Sequence, residues 1–254
     1  LTGYFDANDF ANNERSQYLA NIFVNNISVE FGGSENFYGA GVRGTYSATE
    51  DVDLTIGLME GDGDYADVFD RPFAMAELDL KVRPMGRDGN IRLYYWMRQG
   101  RPDLSTAANP NDAALLEKTN SGLGLSADQG ITDRLSAWMR AGVADEEVAQ
   151  FYAHFSAGIN LKGGLMNKPG HVAGLAYGAT LMGSTYEDYM KSTMTGFESA
   201  VEHYMEAFCN IGVNNAEDNE GLHISPDIQY IINPGGDADA ESAFVYGIRL
   251  QAYF

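Results

Sequence analysis

Ala243-Phe244-Val245-Tyr246-Gly247-Ile248-Arg249-Leu250-Gln251-Ala252-Tyr253-Phe254 closes the chain in unbroken period-2 order. Phe244, Tyr246, Ile248, Leu250, Ala252 and Phe254 share one face, and Val245, Gly247, Arg249, Gln251 and Tyr253 share the other. Side chains of an extended strand point alternately to opposite faces, so this spacing predicts a strand with one apolar and one mixed surface. The stretch before it repeats the rule. Leu222, Ile224, Pro226, Ile228, Tyr230 and Ile232 oppose His223, Ser225, Asp227, Gln229 and Asn233, with Ile231 the one apolar residue on the second face.

Working backwards, comparable stretches fall at 201–213, 171–182, 153–162, 134–142, 121–127, 91–99, 73–83, 52–60 and 38–48, with a weaker one at 1–6. This predicts an all-β chain of about twelve strands. The connections alternate between two classes. Short turns rich in Gly, Asn and Asp occupy Thr49–Asp51, Pro84–Asn90, Asp128–Asp133, Gly163–Gly170 and Asn214–Gly221. Longer polar loops occupy Ala7–Phe37, Gly61–Pro72, Gly100–Asn120, Ala144–Tyr152, Gly183–Ala200 and Pro234–Ser242. Tight turns at one end and long loops at the other are the habit of an antiparallel up-and-down transmembrane β-barrel.

Within 7–37, the spacing of Tyr18, Leu19, Ile22 and Phe23 fits a short helix over Glu14–Phe23, following the cap candidates Asn12 and Asn13. Such an element folds into a barrel mouth, or packs on the outside of a soluble β-domain. No linker or low-complexity tract divides the chain, so 1–254 reads as one barrel domain. Leu1 follows no initiator Met or leader, and the natural chain is expected to extend upstream, into further strands or an N-terminal domain.

Composition narrows the classes. Asp and Glu number 36 against 16 Lys and Arg, a net charge of -20, which argues against a nucleic-acid partner. No run of about 18 apolar residues offers a membrane helix. One cysteine, Cys209, permits no internal disulfide. The charges of the strands keep to one face: Ile91, Leu93, Tyr95 and Met97 oppose Arg92, Tyr94, Trp96 and Arg98, and Leu135, Ala137, Met139 and Ala141 oppose Arg134, Ser136, Trp138 and Arg140. A membrane barrel turns the apolar set to lipid and the charged set to a watery lumen, and a soluble lipocalin-like barrel does the reverse. Strand number, loop asymmetry and the terminal aromatic Phe254 favour the membrane.

The run Leu222–Gly236, followed by Ala243–Phe254, resembles the C-terminus of the carbohydrate-selective porins of the OprB type. Phe5-Asp6-Ala7-Asn8-Asp9-Phe10-Ala11-Asn12, with Gln17-Tyr18-Leu19 and Asn25-Asn26, is similar to an internal segment of that family, as are Gly122-Leu123-Gly124-Leu125, Gln129, Thr132-Asp133, Leu135, Arg140, Gly142 and Asp145. The family typically closes sixteen strands, so this chain is either missing the first of them or is a smaller relative. The resemblance implies a channel for passive diffusion of sugars across a Gram-negative outer membrane. Small sugars and ions would be its solutes, outer-membrane lipid its surroundings, and the barrel-assembly machinery a partner through the strand ending at Phe254. Monomer and trimer both stay open, and no cofactor is implied.

Arg92, Trp96, Arg98, Trp138, Arg140 and Arg249, joined by Glu77, Glu206 and Asp227, fall on lumen faces and are the candidate pore lining. Guanidinium and carboxylate groups exchange hydrogen bonds with sugar hydroxyls, and indole faces cover sugar C–H surfaces. The same groups could instead pair across the interior to hold the barrel in shape. Glu60, Asp62, Asp64, Asp67 and Asp70 form an acidic loop without calcium-loop spacing, which favours a solvated loop over a cation site. His154, His171, His203 and His223 show no paired ligand spacing, and Ser225 with Asp227 is too little for hydrolysis. The expectation is therefore a pore and not an enzyme. A general or ion-selective pore, or a barrel that only anchors other structure, remain the alternatives.

Overall fold

The computed structural model describes residues 5–13, 16–30, 40–61, 70–102, 116–213 and 220–253. Among the described residues eleven strands form one antiparallel sheet: β1 (Gly41–Thr49), β2 (Val52–Glu60), β3 (Pro72–Val82), β4 (Gly89–Pro102), β5 (Leu116–Gly130), β6 (Leu135–Ala144), β7 (Phe151–Lys162), β8 (Val172–Met182), β9 (Glu202–Gly212), β10 (Gly221–Ile232) and β11 (Ala243–Tyr253). Their order in the sheet is their order in the chain, with no crossover. Among the described residues β1 and β11 are its edges. Of the about twelve strands expected, eleven lie among the described residues. The weak candidate at 1–6 supplies no strand at Phe5 and Asp6, because the Asp6 N–H donates to the Glu77 carboxylate at 2.6 Å rather than to a ladder; residues 1–4 lie outside the described ones.

The alternation of connections holds in three dimensions, with β1–β2, β3–β4, β5–β6 and β7–β8 joined at one end of the sheet. Arginines clasp these turns to one another. Arg83 reaches Asp51 of the β1–β2 turn at 2.8 Å and Asp88 of its own turn at 3.2 Å. Arg87 reaches Asp133 of the β5–β6 turn at 2.8 Å, and Arg134 donates to the Lys162 and Gly164 carbonyls of the β7–β8 turn at 3.1 and 2.9 Å. Each turn is thereby tied to the next.

At the opposite end, the stretch Gly183–Ala200, expected as a loop, contains helix α2 (Ser184–Thr193). Its Lys191 donates to Glu187 one turn earlier, which holds the Glu187 carboxyl below the usual range. The β10–β11 loop locks onto the end of this connection through Ala200 N–H to the Gly236 carbonyl at 2.8 Å and Ala238 N–H to the Glu198 carbonyl at 2.7 Å.

The two faces of the sheet decide what solvates it. Leu93, Leu123, Phe155, Leu175 and Ile228 are exposed on one face, and Leu93 keeps 48% of its surface open. The other face buries Glu77, Arg92, Asp128, Arg140, His154, Glu206 and Asp227. A water-soluble barrel reverses this distribution, so the lipocalin-like alternative fails on physical grounds. An apolar exterior around a polar interior is the arrangement that hydrocarbon requires.

Candidate solute path

The interior face is occupied by residues 5–13 and 16–30, and nearly every strand reaches them. Phe5 lies under the Arg43 guanidinium of β1 at 5.7 Å. The Glu77 carboxylate of β3 accepts the Asp6 N–H, and Asn26 donates to the Tyr94 hydroxyl of β4 at 2.6 Å. Asn8 donates to Ser126 of β5 at 3.3 Å, and the Ile27 N–H donates to His154 of β7 at 2.8 Å. The Tyr18 hydroxyl sits 2.9 Å from the Ile159 carbonyl, 3.0 Å from Asn160 Oδ1 and 3.1 Å from the Leu175 carbonyl of β8. Glu206 of β9 accepts the N–H groups of Leu19 and Ala20 at 2.6 and 2.8 Å, and Arg249 of β11 donates to the Gln17 carbonyl at 3.1 Å. One short segment can meet strands from β1 to β11 only where the sheet curls around it.

These contacts explain why the expected helix over Glu14–Phe23 contracts to the single turn α1 (Asn21–Val24). The N–H groups of Leu19 and Ala20 are spent on Glu206, and Tyr18 is drawn out to the sheet, so tertiary bonds replace helical ones. Glu14 and Arg15 lie outside the described residues. Two apolar clusters pin the segment. Ala11, Tyr18, Ile22, Phe23 and Val24 pack on Trp138, Ala176 and Phe208, while Phe5 and Val29 pack with Met59, Phe73, Met75, Tyr94 and Trp96.

Glycines on the inner face make room for this packing. A Cβ on Gly124 would lie 1.9 Å from the ring of Tyr94, its cross-strand partner, and one on Gly174 would lie 2.2 Å from the ring of Phe208, its own partner. Trp138 leans over Gly158 and Trp96 over Gly122 in the same way. Each bulky ring of one strand thus fills the side-chain gap of the next, which brings the segment close to the wall.

Of the nine candidate lining residues, seven are buried. Arg140, 0% exposed, donates to the Asp6 carboxylate at 2.5 Å and to the Ala11 and Phe23 carbonyls at 2.6 and 2.7 Å. Arg92 lies 2.5 Å from Asp128 and 3.4 Å from Asp79. Trp138 donates to Asn160 at 3.2 Å beneath Tyr18, whose ring centroid is 5.3 Å away, and Trp96 stacks on Phe73 at 6.3 Å. Glu77 and Glu206 receive the backbone of the segment, and Asp227 accepts from Gln229 at 3.0 Å. Arg98, which donates to the Gly61 carbonyl at 2.6 Å, and Arg249 are half-buried.

Sequence reasoning missed Asp6, Tyr18 and Asn26, which cover this wall, and Asn160 of β7, which meets Tyr18. Burial pushes the Asp6 carboxyl above its ordinary range against the pull of Arg140, and burial likewise raises the Tyr18 hydroxyl. Of the acidic loop, Asp62, Asp64 and Asp67 lie outside the described residues, and the Glu60 carboxylate accepts the Ala40 N–H at 3.2 Å. Among the described residues no three His, Cys, Asp or Glu side chains gather to hold a metal ion.

A family model, that of the carbohydrate-selective porins of the OprB family, matches residues 2–254. Among solved structures the fold is similar to Pseudomonas putida OprB in its high-pH structure, with a TM-score of 0.69 at 19% identity over 84% of this chain and 58% of that one. The chain therefore spans 58% of the length of that porin. Pseudomonas aeruginosa OccK11 (OpdR) aligns over 84% of this chain and 67% of its own, at a TM-score of 0.38 and 11% identity. No curated protein matches by sequence. With an apolar exterior, a polar interior and a match along almost its whole length, the chain belongs to the OprB family of carbohydrate-selective porins and is an outer-membrane β-barrel protein.

Proposed function

We propose that the chain forms a pore for passive diffusion of small hydrophilic solutes, with neutral carbohydrates preferred over ions. The observation that carries this reading is that cations of the inner face are paired with carboxylates. Arg92 pairs with Asp128 and Asp79, Arg140 with Asp6, Arg101 with Glu30 at 2.7 Å, and Lys81 with Asp53 at 2.9 Å. Ion-paired cations offer hydrogen bonds to hydroxyl groups while attracting anions less than unpaired ones would. The buried members of the candidate lining then act as supports, and Arg98 and Arg249 are the two proposed to border the path itself.

In the same reading residues 5–30 are an inward-folded constriction of the barrel, and β11, whose terminal Phe254 lies outside the described residues, is the strand met by the barrel-assembly machinery. Liposome swelling tests the function. Vesicles carrying the protein should swell faster in an isotonic neutral sugar than in a zwitterionic amino acid of equal size. Equal swelling in both would support a general pore, and no swelling in either would support a barrel that only anchors other structure.

A further inference from the structure

The segment on the inner face has two unlike faces. Toward the wall it presents Phe5, Ala11, Tyr18, Ile22, Phe23 and Val24, all buried. Away from the wall it exposes Asp9, Asn13, Leu19, Asn21 and Asn25, with Gln17 half-buried among them. Four of these six are neutral amides. Within α1 the division is sharp, since Ile22, Phe23 and Val24 are buried while the flanking Asn21 and Asn25 are open.

The amides are held in order. Asn25 Nδ2 donates to Asn21 Oδ1 at 2.6 Å, four residues apart. Gln17 fixes the neighbouring turn, its Oε1 accepting the N–H groups of Asn12 and Asn13 at 2.7 and 3.0 Å and its Nε2 donating to the Asp9 carbonyl at 2.9 Å. The Asn21–Asn25 bond uses one donor and one acceptor, so Asn25 Oδ1 and Asn21 Nδ2 keep an acceptor and a donor for a solute. A primary amide offers both roles without charge, which matches a hydroxyl group, itself donor and acceptor. An Arg or Asp at the same place would attract counter-ions as well.

Resting on the reading of the chain as a sugar pore, we propose that Asn21 of α1 and Asn25, which caps it, form the surface that selects neutral polyhydroxylated solutes. The buried wall arginines and tryptophans hold this surface in place and do not touch the solute. Weak, paired and repeated contacts let a sugar exchange water for amide partners and leave again.

Planar bilayers containing the full chain provide the test, with the ion current recorded as glucose, maltose or gluconate is added. Glucose and maltose should block the unmodified pore, and Asn21→Leu or Asn25→Leu should weaken that block by roughly fivefold each, the loss expected for about one net hydrogen bond. Asn21→Asp, which keeps the shape and adds a charge, should shift the reversal potential toward cations. Unchanged sugar block in the Leu variants, or an unmoved reversal potential in the Asp variant, would overturn the assignment while leaving the sugar pore intact. An unmodified pore whose current ignores both sugars would instead remove the sugar reading, and this inference with it.

Discussion

Arg140 on β6 and Asp6, 134 residues apart in sequence, meet at 2.5 Å in the interior, both buried. The same guanidinium also holds the carbonyls of Ala11 and Phe23, so one side chain gathers three points of residues 5–30. A buried charge with all its partners present costs little relative to its loss, because removing one partner strands the other away from water.

Replacing Arg140 by Met should therefore destabilise the docking of the segment by about 3–5 kcal/mol, and Asp6→Asn should do so by less. The double variant should lose less than the sum of the two. Protease cleavage within residues 5–30 of the membrane-inserted protein, read against an intact barrel, measures this release. Equal protection in Arg140→Met and the unmodified chain would show that the pair does not hold the segment.

The strands were legible because their signal is local. Leu222–Asn233 and Ala243–Phe254 carry one face of apolar residues every second position, and β10 and β11 form within a residue or two of those bounds. The cover over the wall was not legible, since Arg140, Trp138 and Glu206 are met by a segment more than a hundred residues upstream, and docking over that distance leaves no period in the sequence. For the same reason Tyr18, Ile22 and Phe23 read as one face of a longer helix, when their spacing serves the sheet they pack on. One signal was present and unused: Gly122, Gly124, Gly142, Gly158, Gly174 and Gly178 all lie on inward positions where side chains of neighbouring strands or of the segment press close.

The apolar face predicts where charge is forbidden. Leu93 and Leu250 stand 48% and 67% exposed on the outer face, so Leu93→Arg or Leu250→Arg should lower folding stability in bilayers by about 2–4 kcal/mol where the site meets the hydrocarbon midplane. Gln251→Arg, on the opposite face of β11, should be tolerated. Comparable losses for the two classes, measured by reversible unfolding in vesicles, would contradict the assignment of faces.

Orientation follows from the loop classes. The short turns near Asp88, Asp133, Lys168 and Asn215 should lie in the periplasm, and the loops around Asp64, Ala108, Asp188 and Asp237 outside, with Asp64, Ala108 and Asn215 themselves outside the described residues. A background of Cys209→Ala removes the natural thiol, after which Asp188→Cys should react with an impermeant maleimide on intact cells and Asp88→Cys should not. Labelling of the second alone would invert the barrel.

The glycine beneath Tyr94 predicts a steric limit on the inner wall. A Cβ at Gly124 would stand 1.9 Å from the Tyr94 ring, and that ring is fixed at its far end by the 2.6 Å hydrogen bond from Asn26. Neither β5 nor the ring can yield without disturbing the segment, so Gly124→Ala should cost about 1–3 kcal/mol through forced repacking. Gly44 on β1 has no heavy atom within 4 Å of its own Cβ site, and Gly44→Ala should be neutral or slightly stabilising. Shrinking the ring gives the decisive comparison. Tyr94→Leu combined with Gly124→Ala should fall short of the summed losses of the single variants, because the methyl then fills space that the ring has vacated. Strict additivity in unfolding midpoints would mean that the close approach of Gly124 and Tyr94 does not control packing at this site.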